Sequence, residues 1–399
     1  MKFTPATRVS GLRGSAIREM FKKMADPNMI SMAGGNPSPD LFPNGELAAI
    51  AEEMLTKEKV KSLQYGLTEG YTPLREKVRE MLSERESIGR DFDDLIIVSG
   101  GQQGIDLLSR ITLNEGDAVI VEEPSFIGAL NAFRSYGARL IGVPMEKDGM
   151  SMEALKKTLN ETKNVKLLYT IPSFQNPSGT TMSEEKRREV YRLCREHDVI
   201  IIEDNPYGEL TYTGKKLPTI KSIDEDGSVV YCGSFSKILS PGLRVGFMMG
   251  HKDIIAKAIV AKQSNDVHTS MLPQLLTYEF LCRYRIDDYI EKIRAFYAKK
   301  CALMLRSIDE HFPKEISHTV PTGGIFLWCT LPEYVDMLSV TQKATEALVA
   351  IVPGNTFAVD IDAPSHGFRL NFSTPSDEDI IKGIRRLGKV LHDAISEKK

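Results

Sequence analysis

The sequence predicts an α/β fold: a large domain built on a mostly parallel, seven-stranded sheet between helices, followed by a smaller α+β domain. Three observations carry this. Seven short aliphatic runs, LIIVSG, AVIVEEP, RLIGVP, KLLYTIP, VIIIED, SVVYCG and RVGFMMG, follow one another, most of them separated by helical patterns, as in a sheet covered on both faces. Beyond about Ser317 the runs shorten and mix with helices, which marks a second unit. The length, 399 residues, also exceeds what one hydrophobic core fills.

The elements are expected in the following order. Ile17, Met20, Phe21 and Met24 fall at helical spacing in SAIREMFKKMA, and MAGGNPSPDLFP then interrupts regular structure with two glycines and three prolines. From Asn44 to about Arg85 two helical patterns flank the turn LQYGLTEGYTP. Helices are predicted from Gln102, Ile127 and Ser151, and from Ser183 through His197. The last two runs lack a helix between them, so RVGFMMG should pair antiparallel, at or near the end of the sheet where SVVYCG lies. Residues Lys252 to Ile308 read as helical, with Pro273 as a break or kink. Strands in HTVPTGGIFLWCTL and FRLNFS, with helices from about Val340 and Asp377, complete the chain. The expected organisation is an N-terminal segment 1–43 packing on the small domain and the site, a large domain 44–285 and a small C-terminal domain 286–399.

Composition narrows the function classes. Fifty-one Lys and Arg against 54 Asp and Glu give a net charge of −3, without the basic excess that nucleic acid or an anionic membrane would require. The five cysteines, Cys194, Cys232, Cys282, Cys301 and Cys329, are scattered without CxxC spacing, which points to free thiols, a reducing cytoplasmic setting and no metal. No apolar run reaches membrane-spanning length, and no export signal is expected.

In open α/β sheets ligands gather at the carboxyl ends of the strands. There the chain places SGGQQG, EEPSF, PSFQNPSG, EDNPYG and SFSK, while the strand bodies are apolar. SGGQQG sets Gly101 and Gln102 at a helix start, where free N–H groups suit a phosphate, although a capped helix reads the same way. Asp204 is a carboxylate at a buried strand end: a cap for the next turn, or the partner of a pyridinium nitrogen. Asn176 and Tyr207 suit a ring oxygen, and Phe126 suits either stacking on a ring or the core. Lys237 stands between Ser234, Ser236 and Ser240, with Arg244 beyond a Pro-Gly break, an arrangement for holding a phosphorylated aldehyde against an amine. Gly34 and Gly35 let a ligand approach the main chain, or simply form a linker.

PSFQNPSG, EDNPYGEL, SFSKILSPGLRVGF, PTGGIFLW, VPGNTF and FRLNFS, in that order, make the chain similar to the fold type I pyridoxal 5'-phosphate (PLP)-dependent aminotransferases of class I/II. Within them it most resembles the branch of aminoadipate and kynurenine aminotransferases and the aminotransferase-like domain of MocR-type regulators. The resemblance runs from about Ile17 to Ser373. It implies PLP as cofactor, Lys237 as the Schiff-base lysine, Asp204 facing the pyridinium nitrogen, and Asn176 and Tyr207 at the ring oxygen. It further implies phosphate contacts from Gly101, Gln102, Ser234, Ser236 and Arg244, and from Tyr65 of a neighbouring subunit in a homodimer. Arg369 would clamp the substrate α-carboxylate with Asn176 and Gly35 nearby, and Arg18 would meet an acidic substrate side chain. Phe126 stands where relatives often carry tyrosine. The implied reaction is ping-pong transfer from an aminoadipate, aromatic or branched L-amino acid to a 2-oxo acid such as 2-oxoglutarate. The alternatives are a PLP-dependent C–S lyase and a non-catalytic PLP sensor; against the sensor, residues 1–30 have neither the length nor the charge of a winged helix.

Overall fold

The computed structural model describes residues 3–6, 28–57 and 62–397. The expected amphipathic helix around Ile17 and Arg18 lies outside them. Among the described residues the main sheet has eight strands in the order β2-β9-β8-β7-β6-β3-β4-β5. These are Asp93–Val98 (β2), Ala118–Glu123 (β3), Arg139–Glu146 (β4), Gly149–Met150 (β5), Val165–Thr170 (β6), Ile200–Asp204 (β7), Val229–Ser234 (β8) and Gly246–His251 (β9). The seven predicted strands are all present. The eighth, β5, is a two-residue hairpin return that pairs Met150 with Met145, too short to leave a periodic signal.

Pairings β3–β4, β3–β6, β6–β7 and β7–β8 are parallel. As the missing helix predicts, β9 runs antiparallel to β8, and its other edge pairs antiparallel with β2. Side chains alternate between two cores. Val119 and Val121 of β3, Leu167 and Tyr169 of β6 and Ile202 of β7 face the core shared with helices Gly101–Thr112 and Ile127–Ser135. Ile120, Leu168 and Ile201 face the other, with helices Met152–Glu161 and Glu184–Glu196. Ser151 and Ser183 cap these last two helices through their hydroxyls, fixing where they start.

The predicted long helical region divides into Lys252–Gln263, Met271–Arg283 and Ile286–His311. Pro273 does not break it. Pro273 lies in the first turn of the second helix, where its missing N–H has no intrahelical partner to lose, and the break falls at residues 264–270. Ile286–His311 packs against the last helix, Asp377–Ser396. Beside them lies an antiparallel sheet of order β10-β11-β14-β13, formed by Ser317–His318, Phe326–Thr330, Gly367–Asn371 and Val352–Pro353. The segment after residue 28 adds a short parallel strand, β1 (Ile30–Ser31), to β12 (Val349–Ala350). From there the chain crosses to the main sheet's strand ends. Among the described residues no helix is long and apolar enough to cross a membrane.

Candidate active site

The carboxyl ends of β6, β7 and β8 bring Asn176, Asp204, Tyr207 and Lys237 together, with Ser234 ending β8, and the antiparallel sheet adds Arg369 from β14. Asp204 ends β7 and is buried, its Oδ2 accepting a hydrogen bond of 2.7 Å from the Tyr169 hydroxyl. Burial raises its carboxyl to about 6, against the lowering effect of that bond. Among the described residues no cation pairs with it within salt-bridge distance.

Lys237 donates 2.7 Å to the carbonyl of Gly35, so the glycine loop and the lysine are in direct contact. Burial, then the charges of Arg369 and Arg244, pull the Lys237 ammonium down to about 8. Its Nζ lies 5.9 Å from the centre of the Tyr207 ring. Burial likewise raises the Tyr207 hydroxyl, which bonds to Asn176.

Arg369 is 3% exposed. Its Nη1 donates to Asn176 Oδ1 at 2.8 Å and its Nη2 to the carbonyl of Ala33 at 2.7 Å, while its buried Nε has no hydrogen-bond partner. The guanidinium carbon sits 4.2 Å from the centre of the Phe326 ring and 4.8 Å from that of Phe357, which hold its plane. Burial lowers Arg369 to about 10, so it stays a cation at neutral pH.

Ser234 and Ser236 are joined through their hydroxyls at 2.9 Å. Arg244, in a left-handed turn, donates 3.0 Å to the carbonyl of Ser99. Gly100, at φ +80°, opens the helix that begins at Gly101, and a Cβ there would lie 2.3 Å from Arg244 Nη2, so glycine is what admits the arginine. Gln102 donates its side-chain amide to the carbonyl of Gly128, and Phe126 caps the helix that carries Gly128. Tyr65 is 82% exposed and stands edge-on to His268. Arg18 lies outside the described residues.

The sequence reading missed the supporting contacts. Tyr169, Phe326 and Phe357 sit inside predicted strands or turns and look like ordinary core. Glu122, near the end of β3, is fully buried and accepts bonds from Thr170, from Gln175 at 3.0 Å and from the Ile171 N–H at 3.3 Å, which anchors the loop presenting Asn176. Its adjacency to Glu123 in EEPSF was the only signal, a carboxylate inside a strand.

Residues 27–387 match the family described as "Aminotransferase class I and II". The chain belongs to this family. It is 39% identical to the aromatic-amino-acid aminotransferase 1 of Thermococcus litoralis, covering 97% of this chain and 94% of that one. A structure of a Pyrococcus horikoshii kynurenine aminotransferase in complex with PMP superposes with a TM-score of 0.93 at 39% identity, over 97% and 96% of the two chains. The α-aminoadipate aminotransferase LysN of Thermus thermophilus, complexed with N-(5'-phosphopyridoxyl)-L-leucine, gives 0.91 at 36% identity, over 98% of both. The chain is thus a PLP-dependent aminotransferase whose substrates are amino acids and 2-oxo acids. The cleft fits the cofactor. A buried carboxylate, Asp204, without a cationic partner among the described residues suits a protonated ring nitrogen, and a half-buried lysine with a depressed ammonium suits a carbonyl partner.

Proposed function

We propose that this aminotransferase moves the amino group of an L-amino acid of the 2-aminoadipate, aromatic or branched type to a 2-oxo acid, with 2-oxoglutarate as the expected acceptor, in a ping-pong cycle. The observation that carries the reading is the joining of Lys237 and Arg369 to one short strand of backbone, through the carbonyls of Gly35 and Ala33. A carboxylate held by the arginine then lies beside the amine. The relatives named for aromatic, kynurenine and aminoadipate substrates support the donor range.

In this reading bound PLP supplies an electron sink for bonds at the substrate α-carbon. Asp204 would keep the ring nitrogen protonated, Asn176 and Tyr207 would hold the ring oxygen, and Phe126 would stack on the ring. Gly101, Gln102, Ser234, Ser236 and Arg244 would bind the phosphate, joined by Tyr65 of the partner subunit in a homodimer. The fork of Arg369 takes the α-carboxylate, with Asn176 and Gly35 beside it, and Arg18 meets an acidic side-chain end. Lys237 Nζ carries the proton to and from the α-carbon, a task helped by an ammonium that gives up its proton near pH 8. We also read residues 1–43, 44–285 and 286–399 as N-terminal segment, large PLP-binding domain and small domain, and the protein as cytoplasmic.

The test is the visible absorption spectrum of the purified protein with single amino acids and no 2-oxo acid. Aminoadipate, aromatic or branched amino acids should bleach the cofactor band, and a 2-oxo acid should restore it. A band that changes with none of them, or release of ammonia and pyruvate from a sulfur amino acid, would reject transamination of this donor class.

A further inference from the structure

Behind the turn that receives Arg244 lies a carboxylate without a role in the reading above. Asp266 belongs to the break between helices Lys252–Gln263 and Met271–Arg283. Its Oδ2 accepts from Gln103 Nε2 at 2.7 Å and from Ser99 Oγ at 3.1 Å, and its Oδ1 accepts from Lys262 Nζ at 2.6 Å. Ser99 in turn donates its backbone N–H to Gln103 Oε1 at 2.7 Å, and its carbonyl accepts from Arg244 at 3.0 Å. One carboxylate therefore ties together both ends of the Ser99–Gln103 bend, and through Ser99 it fixes the acceptor on which Arg244 rests.

The charge has the wrong sign for a direct role. A carboxylate close to the seat of a dianionic phosphate repels it. Lys262, whose side chain is buried, neutralises part of that charge. A neutral side chain would avoid the repulsion, but asparagine presents a single acceptor oxygen where three donors converge. We propose that Asp266 is the positioning residue of the phosphate seat: it holds the Ser99–Gln103 bend and Arg244 in place, and this ordering outweighs its repulsion of the phosphate. The inference rests on the reading above that this bend and Arg244 receive the phosphate.

Two mechanisms predict opposite signs. If Asp266 acted only through its charge, Asp266→Asn would tighten PLP binding; as a positioning residue it must weaken it. The holoenzyme, its Asp266→Asn, Ser99→Ala and Arg244→Gln variants would be stripped of cofactor, then titrated by absorbance with PLP and, separately, with pyridoxal, which lacks the phosphate. Asp266→Asn should lose about tenfold in PLP affinity and stay within about twofold for pyridoxal, with Ser99→Ala showing a smaller loss of the same kind. Unchanged thermal midpoints would exclude general unfolding. PLP binding by Asp266→Asn as tight as wild type or tighter, or an equal loss for PLP and pyridoxal, would overturn the proposal. Should Arg244→Gln discriminate against PLP while Asp266→Asn does not, the phosphate seat stands and only the role of Asp266 falls. Should Arg244→Gln leave PLP and pyridoxal equally unaffected, the seat itself is misassigned and the inference falls with it.

Discussion

In the proposed role Asp204 stabilises the cofactor, and its burial is costly for the empty chain. Its carboxyl rises from 3.8 to about 6 on folding, so the folded chain binds the proton more tightly and stability falls as pH rises through that window. Above it, at pH 7, the cost of roughly 3 kcal/mol is fully present. Asp204→Asn should therefore raise the melting temperature of the cofactor-free protein, by an amount equivalent to about 1–3 kcal/mol, while lowering kcat at least a hundredfold. Calorimetry of the cofactor-free forms beside steady-state kinetics checks both. Lys237 gives a second prediction. Uptake of PLP by the cofactor-free protein requires the neutral amine, so its rate should climb with pH and level off above about 8 rather than continue towards the range of a solvated lysine. Arg369→Gln removes a cation that holds Lys237 down, and the midpoint should move to higher pH. At this scale, the residues legible in the sequence are those that follow a strand: Asn176, Asp204 and Lys237 each stand out because polar chemistry succeeds an apolar run. Tyr169 and Phe326 act from within such runs, and only the folded register aims them at Asp204 and Arg369.

Elements were legible where the hydrophobic period is long enough to repeat. The strands of the main sheet run five to eight residues and are mostly apolar, apart from the two-residue β5, which carries no period at all. Pro273 misled because a proline reads alike in the middle of a helix and in its first turn, and only the position of the helix start separates the two. Helix starts also supply a control on the site arguments. Ser376 accepts from the Asp379 N–H at 3.0 Å and opens the last helix, and its hydroxyl bonds within that helix rather than to the site. Ser376→Ala should lower stability by about 1 kcal/mol in denaturant titration and leave kcat and KM within twofold. Gly100→Ala should reach the site as well as the fold. It places a methyl on Arg244, at a φ that alanine resists, so PLP affinity should drop about tenfold or more for a stability loss of about 1–2 kcal/mol.

For the whole molecule, the exposure of Tyr65 with its apolar neighbours Leu63 and Leu67 accords with the proposed homodimer. If Tyr65 serves the neighbouring site, two dead proteins can repair each other. Lys237→Ala has no functional lysine but an intact Tyr65, and Tyr65→Ala has the converse. Subunits unfolded, mixed in equal amounts and refolded should regain about a quarter of wild-type activity, because half the dimers are hybrid and each hybrid holds one whole site. No recovery, with dimers formed, would confine each site to its own chain.

The position of β9 has a consequence for synthesis. Among the described strands β2 borders only β9, and β9 is made roughly 150 residues later, after the other long strands of the sheet. During translation the Leu95–Val98 stretch therefore waits beside an open edge while β3, β6, β7 and β8 find one another. A nascent chain arrested before Gly246 would present that stretch to chaperones, and one arrested after His251 has emerged would withdraw it. The strand that finishes the sheet follows the turn bearing Lys237 and Arg244, so Lys237 leaves the ribosome only moments before the sheet can close.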